Sequence, residues 1–134
     1  MAELFEHTSI GSMSLQNRFV RSATWEGLAD KDGSVTGRLI EMMIELVKGE
    51  VGLIISSYAF VSPEGQSSPG QLAVCDDRLL PGLRDMAHAV HSAGGKMALQ
   101  LVHGGCSSNR ELSGLESVGP SVLATCRQAG REDI

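Results

Sequence analysis

The chain has 134 residues, with sixteen acidic against eleven basic side chains for a net charge of −5; 42% of its residues are hydrophobic, 20% are charged and only 4% are aromatic. These values describe one globular domain whose core is filled by Leu, Ile, Val, Met and Ala, and they exclude a disordered tail, a collagen-like repeat and a coiled coil. No Lys/Arg cluster faces a run of phosphates, so nucleic acid is not an expected partner.

The first residues contain no basic segment leading into an apolar one, which predicts no secretory signal. The longest apolar stretch, around 51–61, is interrupted by Ser56 and Ser57 and falls short of the ~20 residues that a spanning helix needs, so no membrane partner is expected. Cys75, Cys106 and Cys126 form an odd, widely spaced set without a CxxC pair. They read as reduced thiols of a cytoplasmic protein rather than as disulfides or metal ligands.

In chain order, Gly11, Ser12 and Asn17 suggest a small hairpin, and 15–24 reads as a turn-bounded strand. A loop at 30–33 follows. Thr36 is placed to cap an amphipathic helix on which Leu39, Ile40, Met43, Ile44 and Val47 recur at helical spacing, with Gly49 in the position of a C-cap glycine. The apolar run 51–55 follows at once, as expected of a strand buried on both faces in a parallel sheet. After a Pro/Gly/Ser-rich loop at 62–70, Leu80, Leu83, Met86, Ala87 and Val90 mark a second helix, with Pro81 in its first turn and Gly94-Gly95 at its end. A third strand is predicted over 96–102. Residues 104–134 read as loop, except that 131–134 resembles the opening of a third helix.

The order β, α, β, α, β with short links becomes three adjacent parallel strands with both helices on one side, through right-handed crossovers. No GxGxxG or GxxxxGK turn follows an early strand, which disfavours an open doubly wound sheet. The expected fold class is therefore α/β, a (β/α)8 TIM barrel. Residues 1–134, read as one N-terminal portion, supply about its first three β/α units: a hairpin, three parallel strands, two helices and a trailing loop.

In such barrels the chemistry sits where strands run out at their C-terminal ends. Here those ends carry Ser22-Ala23-Thr24-Trp25-Glu26, then Ser56-Ser57-Tyr58, then Gln100 through His103 to Gly105. Gln100 is the most informative, because an amide inside an apolar strand must find hydrogen-bond partners. Either neighbouring backbone satisfies it, or it meets the N–H and C=O edge of a pyrimidine-like ring. His103 either donates to a ligand or caps its loop. His88 and His91 stand one helical turn apart without a third ligand nearby and read as a solvated helix face, so no metal is expected and a metal-dependent barrel lyase is disfavoured. Trp25 and Tyr58 read first as packing groups, and Glu26 as an exposed carboxylate that becomes a candidate acid or base only if buried.

Leu4-Phe5, Ile10-Gly11, the run from Leu15 to Ala23 that includes Asn17-Arg18-Phe19-Val20, Asp32-Gly33, Gly52-Leu53-Ile54-Ile55, Ser62-Pro63-Glu64-Gly65, Gln100 through His103 to Gly105 and Gly119-Pro120-Ser121 stand in that order. The ordered set resembles the N-terminal part of the Old Yellow Enzyme family of NAD(P)H:flavin oxidoreductases. The resemblance implies an FMN across the C-terminal mouth of the barrel. Ser22, Ala23 and Thr24 would pass beside the isoalloxazine through their backbone, Ser57 and Tyr58 would approach its edge, Gln100 would hold its pyrimidine side, and Trp25 would face the substrate. It also implies that NADH or NADPH delivers hydride to the flavin, which passes it to the β-carbon of an activated alkene such as an enone. The implied partners are a small-molecule substrate and further copies of the chain in a homo-oligomer. Two departures stand out. Trp25 occupies the position where many members place a flavin-tuning Thr or Cys, and the family's carbonyl-binding pair, proton-donating Tyr, flavin-side Arg and phosphate loops belong to later strands, so no catalytic residue is assigned here. A reading from a different class is a non-catalytic truncated half-barrel that self-associates through the edges of its first and third strands and lacks competent FMN and substrate sites.

Overall fold

A computed structural model describes residues 3–121. The hairpin is present as β1 (Thr8–Ile10) and β2 (Met13–Leu15), paired antiparallel around Gly11, whose φ of +56° suits a residue without Cβ. Three further strands, β3 (Val20–Arg21), β4 (Leu53–Phe60) and β5 (Met97–Val102), form a parallel sheet in that order. Helix α1 (Gly37–Lys48) joins β3 to β4, and helix α2 (Leu80–Ser92) joins β4 to β5.

The strand expected over 15–24 is not continuous. Asn17, buried between β2 and β3, accepts the Phe19 N–H at its Oδ1 (3.0 Å) and donates from Nδ2 to the Glu50 carbonyl (2.6 Å). That side chain turns the backbone, and only Val20 and Arg21 then pair with β4. The second strand runs further than 51–55, through Ser56 and Ser57 to Phe60. A four-residue helix, α3 (Arg110–Ser113), interrupts the segment expected to be loop, capped by Asn109 Oδ1 on the Glu111 N–H (2.9 Å). The expected helix opening at 131–134, and Cys126, lie outside the described residues.

Helix α1 starts where the capping residue predicts: Thr36 Oγ1 accepts the Leu39 N–H at 3.2 Å and donates to the Leu28 carbonyl at 2.6 Å. Its buried residues Leu39, Met43 and Val47 meet Ile54 and Ala59 of β4, Leu72, and Met86 and Val90 of α2 in one cluster, which sets both helices on the same side of the sheet. Gly95, at the entry to β5, lies so close to this cluster that a Cβ there would come within 2.5 Å of Val47 Cγ2.

The pairing of β4 with β5 carries an irregularity. Ile55 faces Ala98 and Tyr58 faces Gln100, so three steps along β4 match two along β5. The extra residue is a β-bulge. Because Ile54 and Ala59 both enter the helix-covered core, Ile55 and Tyr58 share the opposite face, and both are half-buried. Of the three parallel strands β4 is the most buried, with no exposed residue; Val20 (47%) on β3 and Leu101 (62%) on β5 are largely exposed. Among the described residues no helix is long and apolar enough to cross a membrane.

Candidate functional site at the strand ends

The C-terminal ends of β3, β4 and β5 bring together the three polar segments singled out by sequence. After Arg21 the chain leaves the sheet, and Arg21 itself folds back over that exit. Its Nη1 donates to the Ile55 carbonyl (2.9 Å), and its Nη2 donates to the Thr24 carbonyl (2.8 Å) and to Glu26 Oε2 (2.9 Å). The two side chains are only 11% and 6% exposed, so Glu26 is a buried partner and not the exposed carboxylate its residue type suggested. Its second oxygen, Oε1, is buried without a partner among the described residues.

Ser22, Ala23 and Thr24 lie inside this bracket. Ser22 and Thr24 are exposed and Ala23 is half-buried; Thr24 Oγ1 donates to the Ser22 carbonyl at 3.3 Å. Trp25, 46% exposed, lies over Gly27 and donates from Nε1 to the Pro69 carbonyl (3.1 Å). The sequence marks 62–70 as a Pro/Gly/Ser-rich loop but assigns it no part in the site. Gln71, fully buried, accepts the N–H groups of Ser67 (2.9 Å) and Ser68 (3.1 Å) on its Oε1, which fixes the 67–71 turn and presents the Ser68 hydroxyl to the Tyr58 hydroxyl at 2.8 Å. A polar side chain tied to its own turn in a Ser-Ser-Pro-Gly segment is the signal that was available.

Tyr58 and Gln100 are register partners across β4 and β5. The Gln100 amide is exposed and makes no hydrogen bond to another described residue, so the neighbouring backbone does not satisfy it. Ser57 differs from the expectation. It has no accessible surface and its Oγ has no partner, because the bulge turns it inward, so in this conformation the edge contact expected of the Ser57-Tyr58 pair is available at Tyr58 alone. His103 caps its loop: Nδ1 accepts the Gly105 N–H at 2.9 Å, and its ring packs where a Cβ on Gly65 would fall within 2.8 Å. Glu64 stands 3.8 Å from Nε2, and its carboxyl lies below the usual carboxylate range, held there by its own backbone N–H, the Ser62 hydroxyl and the nearby His103.

A cavity of about 360 Å³ lies beside the end of β4, lined by Lys31, Asp32, Phe60, Cys75, Arg78 and Leu112 among others. It shares no residue with the strand-end set. Desolvation pushes the Cys75 thiol up, which keeps it protonated. Among the described residues no three His, Cys, Asp or Glu side chains are grouped to hold a metal ion.

Residues 3–132 match the NADH:flavin oxidoreductase / NADH oxidase family. The chain is 38% identical over 122 residues to an NADH oxidase of Thermoanaerobacter brockii, covering 90% of this chain and 19% of that protein. It is 36% identical to a 4,4'-dithiodibutanoate disulfide reductase of Rhodococcus erythropolis, covering 89% of this chain and 29% of that one. In three dimensions it superposes on an Old Yellow Enzyme homologue of Zymomonas mobilis with a TM-score of 0.81 at 29% identity, over 91% of this chain and 34% of that one. It also superposes on morphinone reductase with a TM-score of 0.77 at 31% identity, over 90% and 32% of the two chains. The chain thus spans between about a fifth and a third of the length of these relatives. Its three parallel strands, two covering helices and ordered strand-end motifs, together with these matches, place it in the NADH:flavin oxidoreductase / NADH oxidase family, that of Old Yellow Enzyme, as the N-terminal part.

Proposed function

We propose that the protein carrying this chain is an FMN-dependent oxidoreductase that takes hydride from NADH or NADPH and delivers it to a small activated alkene, and that this chain supplies one wall of the flavin site. The observation that carries the reading is Gln100. Its carboxamide, one acceptor and two donors, is free on the open face beside Tyr58 and complements the alternating N–H and C=O of a flavin's pyrimidine edge. The residues fit the group in two further respects. No N–H of Ala23, Thr24 or Trp25 donates to another described residue, which leaves donors along the exit from β3, and Tyr58 and Trp25 present aromatic surface on either side of the 67–71 turn.

When bound, FMN supplies the hydride relay between the nicotinamide and the alkene. The chain's own residues then have separate tasks. The Gln100 amide would hold the pyrimidine side of the ring, the backbone of Ser22, Ala23 and Thr24 would pass beside it, Tyr58 would approach its edge, and Trp25 would face the substrate. Ser57 supports Tyr58 from inside the strand without touching a ligand.

The test is the visible absorption spectrum of the protein carrying this chain, before and after denaturation, followed by NADH- and NADPH-driven reduction of 2-cyclohexenone. Stoichiometric FMN and a Gln100→Leu variant that binds FMN about tenfold more weakly, the scale of one lost hydrogen-bonding group left unmatched, are expected. A protein that stays colourless with added FMN overturns the reading.

A further inference from the structure

We propose that Arg21 and Glu26 form a positioning clamp that ends the β3–β4 ladder early and holds the backbone N–H of Ala23 free for the ring it faces; this rests on the flavin reading above. The ladder shows what the clamp displaces. Leu53 donates to the Phe19 carbonyl at 3.1 Å, and in a parallel pair the bonds recur every second residue. The next steps join Arg21 to Leu53 and Ile55, and the step after that would give the Ala23 N–H to the Ile55 carbonyl. That carbonyl instead accepts Arg21 Nη1 at 2.9 Å. The guanidinium therefore occupies the acceptor that would have pulled Ala23 into the sheet, while its other nitrogen grips the Thr24 carbonyl at 2.8 Å. The 22–24 segment is held as an arch, with the Thr24 carbonyl bound to Arg21, the Ser22 carbonyl bound to Thr24 Oγ1 at 3.3 Å, and the amide donors of Ala23 and Thr24 left over.

Glu26 completes the device. A buried guanidinium with only carbonyl acceptors would keep its full charge beside the arch, and the carboxylate neutralises it at 2.9 Å while fixing the planar fork in place. Lysine could not replace it, because a single ammonium cannot reach carbonyls on two segments and a carboxylate in one plane. Neither residue has the exposure needed to touch substrate, so both act through the backbone they hold.

The experiment uses the whole protein with Arg21→Lys, Arg21→Met and Glu26→Gln. Three quantities are read: amide hydrogen exchange at 22–27 without FMN, the dissociation constant of FMN, and the midpoint potential of the bound flavin. The clamp requires faster exchange at 22–27 in both Arg21 variants and FMN binding weakened by about ten- to a hundredfold in Arg21→Met, the consequence of losing charge-assisted bonds to buried carbonyls. It also requires a more positive flavin potential in Glu26→Gln, which keeps the shape of the pair but leaves the guanidinium unneutralised; a purely structural role would not move that potential. Wild-type exchange at 22–27 in Arg21→Lys, the variant that keeps charge and solubility, overturns the clamp. So do wild-type FMN affinity and potential in all three variants. If the parent protein binds no FMN, the flavin reading fails, and the exchange measurement alone still decides for or against the clamp.

Discussion

The end of α1 offers a stabilising substitution. Gly49 occupies the C-cap with an ordinary φ of −76°, whereas the next residue, Glu50, has φ +61° and is the sole non-glycine with positive φ among the described residues. The hydrogen bonds identify a Schellman closure: Glu50 N–H donates to the Val47 carbonyl (2.9 Å) and Val51 N–H to the Leu46 carbonyl (3.1 Å), with Val51 and Leu46 packed against the core. Glycine therefore stands one position before the place where its freedom is needed. A left-handed non-glycine costs about 1–2 kcal/mol, and glycine's larger unfolded-state entropy returns about 0.5–1 kcal/mol, so Glu50→Gly should gain about 1 kcal/mol. Loss of a carboxylate from the negative end of the helix acts in the same direction. The side chain of Glu50 is exposed, and Asn17 binds its carbonyl and not its carboxylate, so no native contact is lost. Conversely, a Cβ on Gly49 would meet Glu45 O at 3.4 Å, ordinary contact, so Gly49→Ala should add about 0.4–1 kcal/mol by restricting the unfolded chain. Urea unfolding at unchanged m value, with a melting rise of about 3–5 °C for Glu50→Gly, is the assay. A Glu50→Gly protein no more stable than its parent would refute the assignment of strain to this residue.

Three further outcomes are expected. Met43→Ala, at a position with no exposed surface between α1, β4 and α2, should lose about 2–5 kcal/mol in the same urea assay; a loss under 1 kcal/mol would show that the cluster is not the core. Asp32, bonded by Ser34, Asp76, bonded by Arg78, and Glu64 all have carboxyl pKa values below their ordinary range. Their stabilisation is present above the unfolded-state carboxylate pKa and disappears as pH falls through the lowered folded values, so the urea midpoint should drop between about pH 5 and pH 2, and a midpoint that holds or rises would contradict the sign. The raised Cys75 thiol should be alkylated by iodoacetamide more slowly than free cysteine at pH 8, with its rate curve displaced to higher pH; peptide mapping of the labelled protein reads this directly.

Features that depend on nearest neighbours were legible in the sequence, and features that depend on chain reversal were not. Thr36, the 3.6-residue spacing of Leu39, Met43 and Val47, and Pro81 in the first turn of α2 located both helices to within a residue, because capping and periodicity are local. Glu26 was misjudged because its burial depends on Arg21, and the two meet only where the chain leaves the sheet after two paired residues. Two opposite charges five residues apart flanking a strand end were the available hint. The third strand shows the converse: Met97, Leu99 and Leu101 have the composition of a buried strand, yet Leu99 (37%) and Leu101 (62%) are exposed, since burial of a strand is decided by what lies beside it. For Gln100 the sequence leaves two readings, neighbouring backbone or a ring edge, and the structure removes the first, since the amide is exposed and bonds to no other described residue.

Ser56 and Ser57 show why a polar pair in an apolar run need not end a strand. Alternation carried strictly from Ile54 would send Tyr58 to the helix-covered face and Ala59 to the open one. The extra residue between Ile55 and Tyr58 reverses that assignment, so that the small Ala59 fits against the core and the phenol faces Gln100. The two serines suit the inserted position because they are small enough to be wholly buried and because Ser56 Oγ donates to the Ser57 carbonyl at 2.8 Å, supplying from a side chain a bond that the disrupted ladder lacks. Arg21 does the same one strand away, meeting the Ile55 carbonyl at the edge of the same bulge. Both devices replace backbone pairing with side-chain pairing at the level where the strands run out, and each leaves a group free on the open face: the Tyr58 ring beside Gln100 in one case, the Ala23 N–H in the other. The candidate site is thus placed at interruptions of the sheet, and the strand limits read from the sequence, 24 for the first strand and 55 for the second, miss at those same positions.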